Sequence, residues 1–331
     1  MKKVIVFALV LIMMLSLSAG AFAEGKYVWY FPAAHAYGDE VMGYVDSFVE
    51  KTGVEVRTMI GADWEQATED ANLQALFADG YNNISVYPSS DGAAGLFDEL
   101  ESFGANIICF GAGTSQATEQ FCVATDVRQA AYDACKYVIE AMGGKGGILN
   151  VLEVLTDTNT LKRKDGIDEC IANTDGVELV QEVAGINSID EGVEKISSAL
   201  YANIDAIDGI VCTGNQSSSA AVQVLDDYYE RNPEGKKIYL VTIDTPEDVM
   251  NGIESGVVYG TIAQNTFAHG YIPFEILRLM SEEGYEKVEG TYFIDSGNVL
   301  VTKENMNSFN DDLQKVTDQI LADLTSTYLT K

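Results

Sequence analysis

Gly209-Ile-Val-Cys-Thr213 before Gly214-Asn215-Gln216, Ile238-Tyr-Leu-Val-Thr-Ile243 before Asp244-Thr245-Pro246, and Tyr259-Gly-Thr-Ile-Ala263 before Gln264-Asn265-Thr266 state one pattern three times. In each, an apolar, β-branched run stops at a short polar turn and a helical pattern follows. Parallel strands that feed helices have this signature, and in such sheets ligands bind beyond the carboxyl ends of the strands. Asn215, Asp244 and Gln264 are therefore expected to converge on one cleft.

The pattern extends in both directions. Upstream, Lys26 to Phe31 is a strand ending in a turn that contains His35 and Tyr37, and Val41, Tyr44, Val45, Phe48 and Val49 then mark one buried helix face. Val54 to Ile60 ends at Gly61-Ala-Asp63-Trp64, Ile84 to Tyr87 at Pro88-Ser89-Ser90-Asp91-Gly92, and Asn106 to Phe110 at Gly111-Ala112-Gly113. A short strand from Gln120 to Ala124 reaches Asp126, which is placed to cap a helix over Val127 to Met142. Gly143-Gly-Lys-Gly-Gly147 breaks the run, and the alternation restarts with a strand over Ile148 to Leu155, a helix over Thr158 to Asn173, a strand over Val177 to Val183 and a helix over Ile189 to Ala202. Two successive arrays of this kind predict an α/β fold of two doubly wound, Rossmann-like parallel-sheet lobes. After a helix over Phe267 to Glu282 and a strand over Val299 to Thr302, Phe309 to Tyr328 is amphipathic, with Leu313, Val316, Ile320, Leu321 and Leu324 on the side expected to pack on a lobe.

Charge narrows the partners. The 331 residues hold 51 acidic and 20 basic side chains, for a formal charge of −31. A surface this negative repels phosphate backbones and anionic headgroups, so nucleic-acid and membrane-surface binding are not expected. Residues 1–23 read as a signal peptide: Lys2-Lys3, an apolar run from Val4 to Leu17, and Ala21-Phe22-Ala23 as a cleavage pattern. Its removal takes away Lys2 and Lys3 and no acid, so −31 becomes −33 in an exported chain. Cys109, Cys122, Cys135, Cys170 and Cys212 show no CxxC spacing; buried thiols are the simplest reading, and one disulfide stays open.

Catalytic and cofactor motifs are missing. No G-x-x-x-x-G-K-S/T loop occurs, and Gln116 stands where a dinucleotide loop opening at Gly111-Ala112-Gly113 would need its third glycine. His35 and His269 lie far apart, and neither an H-E-x-x-H pair nor a G-x-S-x-G elbow is present. The expectation is a binding protein, not an enzyme, with no cofactor and no metal.

The chain resembles the periplasmic sugar-binding proteins of ABC transporters, the ribose- and autoinducer-binding type. The resemblance rests on Ala124-Thr-Asp126, Lys162-Arg163-Lys164-Asp165-Gly166-Ile167, Cys212-Thr-Gly-Asn215, Val241-Thr-Ile-Asp244-Thr-Pro246 and Gly260-Thr-Ile-Ala-Gln264, in order along the mature chain. It implies the type I periplasmic binding protein fold, whose lobes are joined by a three-segment hinge crossed near Asp126, Gln264 and Tyr292. Residues 25–125 with 265–292 would form the first lobe, 126–264 with 293–305 the second, and 306–331 a C-terminal helical extension. Asn215, Asp244 and Gln264 match polar groups that hold sugar hydroxyls, and His35 and Tyr37 match a stacking position. Trp64, Ser90, Asp91 and Arg163 are placed with them as ligand-binding candidates. Two departures stand out: Gly111-Ala112 replaces an Asp-Arg pair, and Leu161 replaces an Arg, so the opposite wall is expected to grip through His35, Tyr37 or Trp64 instead. The implied function is capture of a small neutral, sugar-like ligand by a monomer and its delivery to an ABC permease. The alternatives are a sensing module for a chemoreceptor or sensor kinase, or a binder of another small molecule such as a nucleoside.

Overall fold

A computed structural model describes residues 25–114 and 121–331, so the expected leader, Gln116 and the start of the Gln120 strand lie outside the described residues. The first sheet contains β1 (Lys26–Phe31), β2 (Val56–Ile60), β3 (Tyr81–Val86), β4 (Asn106–Phe110), β5 (Phe121–Ala124) and β12 (Phe293–Asp295), in the order β12-β5-β4-β3-β1-β2. The second contains β6 (Gly146–Val151), β7 (Val177–Val183), β8 (Ile207–Cys212), β9 (Tyr239–Ile243), β10 (Val258–Gln264) and β13 (Asn298–Val301), in the order β13-β10-β9-β8-β6-β7. Within these two sheets every pairing is parallel except that of β10 with β13, and β11 (Glu286–Lys287) and β14 (Leu329–Thr330) form a separate antiparallel pair. The chain has the two-lobed, doubly wound α/β architecture that its pattern predicts.

The strand sequences explain the layers. Successive side chains alternate between faces, so Trp29 and Phe31 of β1 join one apolar cluster while Val28 and Tyr30 join another on the opposite face. In the second lobe Leu149 and Val151 face one cluster and Ile148 the other. Both faces of each sheet are thus covered, and continuous apolar runs such as KYVWYF follow from that double burial. The edge strands β2 and β7 bury far less of their length. All five cysteines are free and buried.

Helices follow the strands, and those after β1, β5, β6, β7 and β10 begin at a side-chain cap. The helices include α1 (Ala36–Thr52) after β1, α2 (Gln66–Ala78) after β2, α3 (Ala94–Ser102) after β3, α4 (Val127–Ala141) after β5, α5 (Thr158–Ala172) after β6, α6 (Ile189–Ala202) after β7, α7 (Asn215–Arg231) after β8, α8 (Glu247–Ser255) after β9 and α9 (Thr266–Glu283) after β10. Asp126 accepts from the Gln129 N–H at 3.1 Å, Asp157 from the Thr160 N–H at 2.9 Å and Asn265 from the Ala268 N–H at 3.1 Å. Each such cap contributes about 1 kcal/mol.

Two features differ from the sequence expectation. The third crossing falls at Ser296-Gly297, after the place expected near Tyr292, because Phe293–Asp295 pairs in parallel with β5 before β13 joins the second sheet. A three-residue strand between polar neighbours carries too little periodicity to be seen. The C-terminal helix α10 (Phe309–Asp323) also reaches both lobes: Phe309 and Leu313 join the second lobe's core, whereas Ile320 and Leu324 join the first's. Val316, expected on its packed side, is 37% exposed.

Candidate functional site

The carboxyl ends of both sheets point at each other across a cavity of about 150 Å³. The first lobe supplies aromatic rings. Phe31, the last residue of β1, is the centre of the cluster, with ring centroids at 5.5 Å to Trp64, 5.0 Å to Tyr87, 6.1 Å to Tyr37 and 6.4 Å to His35. His35 is also the N-cap of α1, its Nδ1 accepting from the Tyr37 N–H at 3.2 Å. Gly111, at the end of β4, has φ +67, and a Cβ there would stand 2.1 Å from the Tyr37 hydroxyl. The phenol of Tyr37 therefore occupies the space that a side chain at 111 would need, which is the physical counterpart of the missing Asp-Arg pair.

The second lobe supplies polar and charged groups. Asp244 follows β9 with φ 75 and is the one non-glycine residue with positive φ among the described residues. Backbone strain of this kind costs on the order of 1–3 kcal/mol and persists only where the surroundings hold it. Here its N–H donates to Ile262 O at 2.9 Å, its carbonyl accepts from Thr261 Oγ1 at 2.6 Å, and its Oδ1 accepts from Gln264 Nε2 at 2.7 Å. Glu153, just past β6, has a side chain 13% exposed; its Oε1 accepts from the Ser217 N–H at 2.9 Å, and its Oε2 lies 3.9 Å from His35 Nε2. Burial raises the Glu153 carboxyl above its ordinary range and the charge on Asp244 adds to that, while His35, the Ser217 N–H and Arg163 pull the other way. Arg163 on α5 is 7% exposed, and its Nε has no hydrogen-bond partner among the described residues.

The lobes touch across the cavity. Tyr87 donates its hydroxyl to Asp157 Oδ1 at 3.1 Å, and Asn159 Nδ2 donates to Gly111 O at 2.7 Å. Behind the aromatic wall a buried network ties the site to the hinge. Tyr37 Oη lies 2.8 Å from His269 Nδ1, His269 Nε2 lies 2.8 Å from Ser296 Oγ, and Ser296 Oγ lies 3.2 Å from Thr125 Oγ1. Asn265 Nδ2 donates to Ser296 O at 2.8 Å and sits 3.0 Å from Thr317 Oγ1 of α10. All three crossing segments, near Thr125, Asn265 and Ser296, meet in this network. Burial, with the Arg163 charge, lowers the His269 pKa from 6.5 to about 3, so the ring is neutral.

Of the nine candidate residues, His35, Tyr37, Trp64, Arg163, Asp244 and Gln264 line this one cavity. Asn215 does not: Gly214 and Gln216 form that part of the wall, and Asn215 is buried at the start of α7. Ser90 and Asp91 are also elsewhere. Ser90 accepts from the Gly92 N–H and donates to Gln66 Oε1 at 2.7 Å, and Asp91 opens a 3-10 turn. Their loop is drawn back onto α2, where Ser89 donates its N–H and its hydroxyl to the buried carboxylate of Glu69. Glu153, Tyr87 and Asn159 are the important wall residues that the pattern missed. Ile148 to Leu155 reads as one strand, yet β6 stops at Val151, which frees Glu153 for the cavity. Among the described residues no group of His, Cys, Asp and Glu is placed to hold a metal ion, and no helix is long and apolar enough to cross a membrane.

A family model described as a periplasmic binding protein domain matches residues 27–284. The chain belongs to that family. Its fold is that of a solute-binding protein of a D-arabinose complex from Burkholderia graminis (TM-score 0.77, 18% identity, 86% of this chain and 97% of that one). It is equally that of the Caulobacter myo-inositol binding protein bound to myo-inositol (TM-score 0.77, 16% identity, 87% and 97%). A xylitol-binding protein from Mycolicibacterium smegmatis is 26% identical over 208 residues, which span 61% of this chain and 58% of that relative. The expected type I periplasmic binding protein fold is therefore the one the chain has.

Proposed function

We propose that this family member is an exported solute-binding protein that closes on a sugar or sugar-like polyol and delivers it to an ABC permease. One observation carries the reading: an aromatic wall and a hydrogen-bonding wall from separate lobes enclose a cavity of about 150 Å³. That is well below the roughly 300–1,000 Å³ of pockets for drug-sized ligands, and it suits one sugar ring or a short polyol. Rings cover the apolar C–H faces of such a molecule, while carboxylate and amide groups pair its hydroxyls. The relatives support this, since their described ligands are xylitol, D-arabinose and myo-inositol. Ligand-binding roles for His35, Tyr37, Trp64, Arg163, Asp244 and Gln264 belong to the proposal, as do the leader at 1–23, an extracytoplasmic location and a monomeric state.

Thermal melting and calorimetry of the purified chain with xylitol, D-arabinose, myo-inositol and common hexoses test it. A ligand at 100 times its Kd stabilises by about 2.7 kcal/mol, which raises the melting temperature by several degrees. No stabilisation by any sugar or polyol would sink the proposal.

A further inference from the structure

The charge of the second wall exceeds what a neutral polyol needs. Asp157 is compensated where it stands: its carboxylate accepts from the N–H groups of Asn159 and Thr160 at the start of α5 and from the Tyr87 hydroxyl. Glu153 and Asp244 are not. Glu153 Oε1 has the Ser217 N–H, but among the described residues Oε2 meets only the His35 ring at 3.9 Å. His35 Nδ1 is already engaged by the Tyr37 N–H, and its Nε2 stays beyond hydrogen-bond distance of Glu153 Oε2. Asp244 Oδ1 accepts from Gln264, and Oδ2 has no hydrogen-bond partner among the described residues. The one guanidinium facing them, Arg163, forms no ion pair with either among the described residues, and its buried Nε is unpartnered. Gln216 Oε1 is a further buried acceptor without a partner among the described residues.

Two carboxyl groups and an amide oxygen thus turn more acceptor atoms into the cavity than its donors engage, and buried polar and charged groups of that kind require a partner. We propose that the ligand is a small polyhydroxylated molecule bearing one protonated amino group, an amino sugar or amino polyol. Its ammonium sits between Glu153 and Asp244, and an oxygen of its frame accepts from Arg163. An ammonium fits this wall because it offers three donors and no acceptor, and hydrogen bonds between ions are about twice as strong as neutral ones. The chain's charge of −31 raises the local concentration of cations and acts in the same direction. This inference rests on the solute-binding reading above and replaces its neutral ligand with a singly charged one.

Matched pairs test it on the intact protein: D-glucosamine against D-glucose, D-galactosamine against D-galactose, and 1-amino-1-deoxysorbitol against sorbitol, each titrated calorimetrically at pH 7. The amine of at least one pair is expected to bind at least about 10-fold more tightly, equivalent to about 1.4 kcal/mol. N-acetylation should remove the gain, and Glu153→Gln should bring that pair's ratio close to one. Neutral members binding as well as or better than their amines would overturn the inference while leaving the solute-binding reading in place. No binding by any member, together with no binding of the neutral panel, would overturn both. The pairs are compared on the unsubstituted chain, so the outcome does not depend on how Glu153→Gln folds.

Discussion

The first lobe presents Phe31, Tyr37, Trp64 and Tyr87 to the cleft, and the hydroxyls among them are already engaged, Tyr37 with His269 and Tyr87 with Asp157. The second lobe presents Glu153, Arg163, Asp244 and Gln216, and each keeps at least one polar atom without a strong partner. Two sheets of the same winding therefore make unlike walls. One is complete before a ligand arrives and supplies shape and water exclusion; the other is incomplete and supplies direction. The turns after the strands set this difference, not the strands themselves.

Substitutions that cross this division are the way to break it. Asp244→Ala removes acceptors from the incomplete wall, and a loss of about 3 kcal/mol, or roughly 100-fold in Kd, is expected by calorimetry. Asp244→Gly should bind as poorly yet melt no lower than the parent, because glycine accepts the positive φ without strain. Gly111→Ala strikes the complete wall: the new methyl meets the Tyr37 hydroxyl in a left-handed backbone conformation. About 2–3 kcal/mol of stability should be lost in denaturant unfolding. Trp64→Ala removes one ring and should weaken binding about 10-fold, near the 1.5 kcal/mol upper range for an aromatic contact.

A test of a different kind varies pH. His269 has a folded pKa of about 3, below its ordinary 6.5, so its contribution is fully present above 6.5 and is lost as pH falls toward 3. Below pH 6.5 the loss should steepen toward about 1.4 kcal/mol per pH unit near pH 5. Unfolding curves of His269→Gln, compared with the parent, should lack that slope.

Much of this was legible in the residues. Strand runs that end at an acid or amide, as at Asp244 and Gln264, state both the element and its cleft-facing end. Asn215 and Gln216 show the limit, since adjacent helical residues are turned about 100° apart and nothing local says which one faces the cavity. Glu153 was hidden because Ile148 to Leu155 stays apolar at alternate positions beyond the point where pairing stops. Ser90 and Asp91 looked equivalent to Asp244 in sequence, but Glu69, 20 residues before Ser89, holds their turn on α2. That contact is long-range, and no turn composition encodes it.

Gly111 and Tyr37 also bear on how such a site changes over generations. An acidic side chain at 111 has no room while the phenol of Tyr37 is present, and the phenol in turn anchors His269 and, through it, Ser296 at the hinge. A lineage starting from this chain cannot acquire a charged first wall at that position by one tolerated substitution. Tyr37 has to change first, at the expense of its bond to His269, so ligand preference at this wall is held in place by history as well as by chemistry.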